Sequence, residues 1–463
     1  MYTSGVMKVV NRKESWLLLL GDILVFVVSL WLTLVFRFGE IPTNIVFKQH
    51  LFPFGILFAI WCVVFFIASL YEKHTTVFKS HLPIKVLYTQ IFNSFLAVVF
   101  FYFVPYFGIT PKITLFIYII ISLTLIFIWR TYGQKIFGLK LKERAMILGR
   151  GKEMDLLLQE VNNNHRYGLD FVLSFDLDKI ESVDFQKDII EKIILLNISV
   201  VVIDLQNENL KKNLPTFYHL LFSKVRFVDI NNLYEDIFDR VLLSSVSYNW
   251  FLENVSLSVS ITYGTFKRLM DMVVSFVLGL LSLFFYPFIC LAIKLEDGGS
   301  VFISQDRIGK NNKLIKIKKF RTMSFNDNEE NKPKTNENLS GPRVNKITKV
   351  GAFLRKSRLD EIPQLWSIWR GDLSLVGPRP ELPTLAQIYE KEVPYYNVRH
   401  LIQPGLSGWA QLYHENHPHQ GANVEETKNK LSYDLYYVKN RSLILDLEIA
   451  LKTVKALLSR TGK

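Results

Sequence analysis

The chain has 463 residues, 49% of them hydrophobic, an excess over ordinary soluble proteins that points to a membrane. Lys and Arg number 55 against 42 Asp and Glu, a net charge of +13. That balance suits an anionic partner such as lipid headgroups, nucleic acid or a phosphorylated small molecule. Only Cys62 and Cys290 occur, both in apolar runs, which excludes a disulfide framework and a thiolate metal site.

Four apolar stretches open the chain, Trp16 to Phe36, Leu51 to Leu70, Val86 to Phe107 and Ile113 to Trp129. Each is near the roughly 17–25 residues a spanning helix needs, so a four-helix transmembrane domain is expected over 1–135. A cleaved signal peptide is the alternative for the first stretch, but its apolar core is long, no small-residue cleavage site follows, and more spans come after it. Lys8, Arg12 and Lys13, then Lys73, Lys79 and Lys85, then Arg130, Lys135, Lys140, Lys142 and Arg144 flank one side. Only Arg37, Lys48 and Lys112 flank the other. The positive-inside rule therefore starts everything after residue 130 in the cytoplasm.

Over 140–245 the pattern becomes that of an α/β unit with a parallel, Rossmann-like sheet. "RAMILG", "LDFVLSF", "VVVIDL" and "KVRFVDI" are strand candidates separated by helical lengths. "GRGKEM" after the first strand has Gly149 and Gly151 but Met154 where a phosphate-binding turn carries its third glycine. Two glycines in a tight turn need no ligand, and a regulatory or structural role is preferred to dinucleotide binding. Asp176, near the end of the second strand, reads as a turn residue or a ribose contact.

Residues 246–262 read as a linker, and 263–463 as an α+β catalytic domain lying on the membrane. Its apolar run from Met272 to Leu295 is long enough to cross once more, yet Lys267 and Arg268 precede it and Lys294, Arg307, Lys310 and Lys313 follow. Both ends thus belong on the same side. Pro287 opposes an unbroken rod, so a re-entrant helix over about 267–295 is expected, with a kinked fifth span as the alternative. "GGSVFISQDRIGKNNKLIKIKKFRTM" predicts a strand pair around a turn at Gly309 to Asn312, leaving Arg307, Lys319 and Arg321 available to an anion. Ser324 to Gly341 is almost free of apolar residues and reads as a mobile loop and candidate lid.

"SRLDEIPQLW" sets Asp360 and Glu361 among many cations. Pro363 suits the first turn of a helix running on through "QLWSIW", which puts the acids just before or at a helix start. Neighbours on a helix point about 100° apart, so one acid can hold a metal while the other faces the reacting centre; a plain helix cap is the bland alternative. Mg²⁺ commonly binds through one or two carboxylates together with phosphates. In "GDLSLVGPRPELP", Pro378 and Pro380 stiffen a loop that presents the Arg379 fork to a phosphate. His414, His417 and His419 read as a polar loop before a metal site. Nucleic-acid binding is disfavoured because the basic residues cluster beside apolar segments.

Together the strings "KRLMDMVVS", "FISQDRIG", "KKFRTM", "VGAFLRKSRLDEIPQLWSIWRGDLSLVGPRPELP", "PGLSGWAQ" and "YDLYYVKNRSLILDLEIALKT" resemble the large form of the bacterial sugar transferases, the polyprenyl-phosphate glycosyl-1-phosphate transferases. The resemblance implies a two-step reaction at the cytoplasmic face of the bacterial inner membrane, initiating exopolysaccharide, capsule or O-antigen assembly. By that analogy Asp360 is the nucleophile toward a UDP-sugar, releasing UMP, and polyprenyl (undecaprenyl) phosphate then accepts the sugar phosphate. Glu361 matches the Mg²⁺ ligand, with Asp360 beside it, and Arg355 matches an arginine near the phosphates. Pro378, Arg379 and Pro380 match the loop associated with the nucleotide. Lys267 and Arg268 match a basic pair suited to membrane lipid headgroups. Tyr286-Pro287 stands where the family often has Ser-Pro. A homodimer is compatible with this reading. The rivals are a membrane-anchored nucleotide-sugar dehydratase, whose second glycine fingerprint and Tyr-x-x-x-Lys pair are missing here, and a non-catalytic scaffold for glycan assembly.

Overall fold

The computed structural model describes residues 13–68, 70–71, 82–103, 112–133, 142–164, 167–176, 189–204, 207, 210, 217, 225–255, 261–324, 347–413 and 423–458. It divides into two units, Met1–Phe238 and Asp239–Lys463.

In the first unit, α1 (Lys13–Phe38), α2 (Asn44–Ile67), α3 (Leu82–Phe103) and α4 (Lys112–Ile128) are, among the described residues, the four single helices long and apolar enough to cross a membrane. Helix α2 starts at Asn44 rather than Leu51. Hydropathy marks where side chains meet lipid, whereas the backbone continues its i to i−4 bonding beyond that point. The bundle interior is aromatic: Phe26, Trp61 and Tyr118 are all fully buried, with the Phe26 and Trp61 rings edge-on at 5.2 Å. Asp22 and Arg130 are buried as an ion pair. The Tyr71 hydroxyl donates to Asp22 Oδ2 at 2.7 Å, and Arg130 Nη1 donates to the Leu70 carbonyl at 2.8 Å. Charges in so apolar a medium persist only when paired and hydrogen-bonded in this way.

The same unit contains β1 (Glu143–Gly149), α5 (Gly151–Asn163), β2 (Leu169–Asp176), β3 (Val200–Ile203), β4 (Arg226–Asp229) and α6 (Ile230–Phe238). All four strand candidates are strands, and they pair in parallel in the order β2-β1-β3-β4. Gly149 and Gly151 make the β1–α5 turn, Gly151 with φ +74. A Cβ on Gly149 would lie 2.8 Å from Ile230 Cδ1 and 3.2 Å from Met154 Sδ. Side chains of the fold thus occupy the space beside that glycine.

The second unit begins earlier than the sequence pattern suggested, because residues 239–255, read as the end of the α/β unit and a linker, pack into it. Val241 and Trp250 are 2% exposed in a core shared with Tyr389, Trp409, Leu435 and Ile449, and Val241 N–H donates to the Ser432 carbonyl at 3.0 Å. A stretch that buries a tryptophan is part of a domain rather than a tether.

The apolar run forms α7 (Ile261–Ser282) and α8 (Tyr286–Asp297), bent by 58°. Pro287 sits in the first turn of α8, where its missing N–H costs nothing. The hydroxyl of Ser282, the last residue of α7, donates to the Gly279 carbonyl at 2.6 Å, which also accepts from Leu283 N–H at 3.2 Å. The Tyr286 ring packs edge-on against Phe320 at 5.0 Å instead. The predicted hairpin is present as β5 (Phe302–Ile308) and β6 (Leu314–Phe320), antiparallel. Then follow α9 (Lys349–Ser357), α10 (Gln364–Arg370), β7 (Ser374–Val376), α11 (Pro383–Glu392), β8 (Gly405–Ser407), α12 (Val424–Asn440) and α13 (Leu443–Leu458). Strands β7 and β8 are parallel. At their end the main chains of Gly377 and Gly405 touch, since a Cβ on Gly405 would fall 2.1 Å from Gly377 N.

Candidate active site

Asp360 and Glu361 lie on a 3₁₀ turn, Leu359–Glu361, between α9 and α10. Arg358 enters it in the left-handed region at φ 56, and Pro363 caps α10. The acids therefore stand just before the helix.

Lys319 from β6 and Arg379 from the loop after β7 converge on one oxygen of Glu361: Lys319 Nζ and Arg379 Nη2 each donate to Oε1 at 2.9 Å. Burial alone would raise the Glu361 carboxyl, but the Arg379 guanidinium and Lys319 ammonium outweigh it and hold the group down to about 2. Asp360 moves the other way. Burial raises its pKa and the neighbouring Glu361 charge raises it further, with Lys319 and Arg355 pulling back. Among the described residues, neither the Asp360 side chain nor Glu361 Oε2 is hydrogen-bonded to another side chain. One carboxylate is thus clamped and stays ionised well into acid, and its half-buried neighbour holds a more basic oxygen.

The remaining predicted residues divide in two. Arg355 sits on α9 close enough to bias Asp360, its Nε donating to Thr322 Oγ1 at 2.8 Å. Arg307 reaches the loop itself, Nη1 donating to the Pro380 carbonyl at 3.3 Å, and burial lowers its pKa. Arg321, in contrast, is buried against Asp297 and packs on Gly299, so it closes the turn after α8. Lys267 Nζ donates to the Val376 carbonyl at 3.1 Å and to Asp446 Oδ2 at 3.0 Å. Arg268 donates to the carbonyls of Ile368 at 2.8 Å and Trp369 at 2.7 Å. Both members of the basic pair bond the protein: Arg268 caps the end of α10 and Lys267 ties α7 to β7. His414, His417, His419 and the lid candidate beyond Ser324 lie outside the described residues.

A cleft of about 360 Å³ opens beside Pro363, lined by Tyr286, Phe302, Lys318, Trp366, Ser367, Trp369 and Arg370. Its walls combine two half-exposed indoles, 6.4 Å apart edge to face, with two cations. Sequence reasoning missed a set of buried ionic residues behind the Arg379 loop, namely Glu381, Arg399, Lys430 and Asp434. Among the described residues no three His, Cys, Asp or Glu side chains come together, and Asp360 and Glu361 are the adjacent carboxylates here.

Residues 262–460 match the family model for bacterial sugar transferases. The chain is 34% identical over 265 residues to the UDP-N-acetylgalactosamine-undecaprenyl-phosphate N-acetylgalactosaminephosphotransferase of Aeromonas hydrophila, covering 57% of this chain and 59% of that protein. It is 36% identical over 191 residues to the UDP-glucose:undecaprenyl-phosphate glucose-1-phosphate transferase of Escherichia coli K12, covering 41% and 39%. A sugar transferase of Bacillus subtilis is 36% identical over 197 residues, 42% of this chain and 89% of that shorter protein. The matches thus span about half the length of the two longer relatives, and nearly all of the short one. The match to the short relative covers most of its length, and the chain belongs to the bacterial sugar transferase family.

Proposed function

We propose that the protein transfers a sugar 1-phosphate from a UDP-sugar to a polyprenyl phosphate, undecaprenyl phosphate in bacteria, at the cytoplasmic face of the inner membrane. The observation that carries this reading is the asymmetry of the acids: Glu361 is fixed by Lys319 and Arg379, while Asp360 is raised and unclamped. In the first step an Asp360 carboxylate oxygen attacks the sugar-linked phosphorus. The bond from that phosphorus to the bridging oxygen breaks, and UMP departs with the oxygen and the electron pair. In the second step a phosphate oxygen of the polyprenyl phosphate attacks the same phosphorus, and the aspartate leaves as carboxylate. The product is a polyprenyl diphosphate sugar, and the names of the Aeromonas and Escherichia relatives agree with this substrate class.

Lys319 and Arg379 are placed to offset charge on the diphosphate, and Arg355 does the same beside Asp360. Free oxygens on Asp360 and Glu361 fit a hard, oxygen-preferring ion such as Mg²⁺, which when bound would neutralise the diphosphate against an anionic nucleophile. The bent α7–α8 pair supports a re-entrant anchor, which keeps the acids at headgroup depth where an acceptor with its tail in the bilayer presents its phosphate. Initiation of an exopolysaccharide, capsule or O-antigen is the fitting role.

The test is to hold purified protein with Mg²⁺ and single UDP-sugars without acceptor, then digest it and weigh the peptides. A sugar-phosphate adduct on the peptide carrying Asp360, discharged by adding undecaprenyl phosphate, is expected. UMP release without any adduct would sink the two-step route, and silence across a broad panel would sink the transferase reading.

A further inference from the structure

The loop from Gly377 to Pro383 contains two prolines flanking Arg379, so it lacks the N–H groups for a regular ladder and its carbonyls need donors from elsewhere. Three find them in backbone or hairpin: Pro378 O accepts from Gly405 N–H at 2.9 Å and Glu381 O from Ile308 N–H at 2.9 Å, and Pro380 O accepts from Arg307. The carbonyl of Arg379 accepts from a side chain in the interior, Arg399 Nη2 at 2.9 Å. Arg399 is 1% exposed, and the same nitrogen lies 2.9 Å from Asp434 Oδ2. Its Nη1 donates to the Tyr396 hydroxyl at 2.7 Å and lies 3.9 Å from Glu381 Oε2. Lys430 Nζ in turn donates to Glu381 Oε2 at 3.0 Å.

Two cations and two anions are therefore buried together, directly behind the residue whose guanidinium holds Glu361. Well-packed apolar side chains of similar volume are often as stabilising as such a group, so stability alone gives little reason for it. Orientation does, because a planar fork hydrogen-bonded to a carbonyl and a phenol, and ion-paired with Asp434, fixes the peptide it touches.

We propose that Arg399 is a positioning residue for the transfer: by holding the Arg379 carbonyl it sets the direction in which the Arg379 guanidinium meets Glu361 and the donor diphosphate. This rests on the transferase reading. On that reading its loss acts on the UDP-sugar half of the reaction and leaves the lipid acceptor untouched.

The experiment uses the full chain in lipid nanodiscs and compares Arg399→Met, Arg399→Lys and the charge-balanced double variant Arg399→Met with Asp434→Asn, which covers a single variant that fails to fold. UMP release is measured against UDP-sugar and undecaprenyl phosphate separately, and hydrogen exchange is followed over residues 374–385. Arg399→Met, or the double variant, should raise the donor KM by about tenfold or more, leave the acceptor KM alone, and speed exchange at Arg379 and Glu381. Arg399→Lys should recover most of the donor KM. A folded variant with unchanged donor KM, or one that loses both substrates in proportion to unfolded protein, overturns the proposal. If the wild type releases no UMP from any UDP-sugar, the transferase reading fails by itself, and unchanged exchange in the variant overturns the positioning role independently.

Discussion

Among the places where the molecule buries a carboxylate beside an arginine, two are treated very differently. In the helical bundle, Asp22 faces Arg130 with a tyrosine hydroxyl and a backbone carbonyl completing the set, and both side chains are fully sealed from solvent. In the second unit, Glu361 takes Lys319 and Arg379 on one oxygen, and Asp360 beside it has Arg355 nearby and oxygens to spare. A sealed pair with every polar atom used specifies a packing. An unbalanced group with cations in excess and open oxygens has capacity for an anionic ligand.

That contrast can be broken at several points. The largest effect is expected for Asp360→Asn, which keeps shape and removes the proposed nucleophile: UMP release should fall by about 10⁴-fold or more, with the melting temperature retained. Asp22→Asn leaves Arg130 uncompensated and should destabilise the bundle by roughly 3–5 kcal/mol, read as loss of folded protein in detergent, while turnover per folded molecule holds. If Asp22→Asn abolished turnover in folded protein, the sealed pair would be functional after all.

Acid sharpens the comparison next. Glu361 drops from an ordinary 4.5 to about 2 on folding. A depressed carboxyl contributes stability that is complete above its unfolded value and disappears as pH falls through the folded one. Without divalent ions, the second unit should thus lose on the order of 3 kcal/mol between about pH 4.5 and 2, and Glu361→Gln should flatten that window in a denaturation series. Arg379→Lys keeps the charge and loses the fork, so kcat/KM should fall by about 10- to 100-fold. Smallest of all, Arg370→Ala removes only an exposed contact with Asp372 at 3.5 Å and should shift stability by no more than about 1 kcal/mol.

Local signals explain what the sequence disclosed. Apolar length marked the four spanning-length helices, short apolar runs marked β1 to β4, a polar turn marked the β5–β6 pair, and the crowding of acids, cations and rigid turns within Ser357–Pro383 marked Asp360, Glu361 and Arg379. Residues whose partners lie far along the chain stayed hidden. Asp434 and Lys430 look like ordinary polar positions on an amphipathic helix, and only tertiary packing brings them to Arg399 and Glu381. Lys267 and Arg268 show a different ambiguity. Cations flanking an apolar run look alike whether they meet lipid phosphate or protein carbonyls, and here each bonds protein. Residues 246–255 looked like a tether because they have no clear period, although Trp250 alone could have signalled burial.

The contact between Gly377 and Gly405 limits how this chain can be re-engineered. With two main chains pressed together there, the proline-arginine segment and the "PGLSGW" segment form one mechanical piece. Replacing either one alone with a homologous stretch of different register would push the other aside. A graft meant to alter sugar choice should therefore move both together, or leave both alone and vary the walls around them.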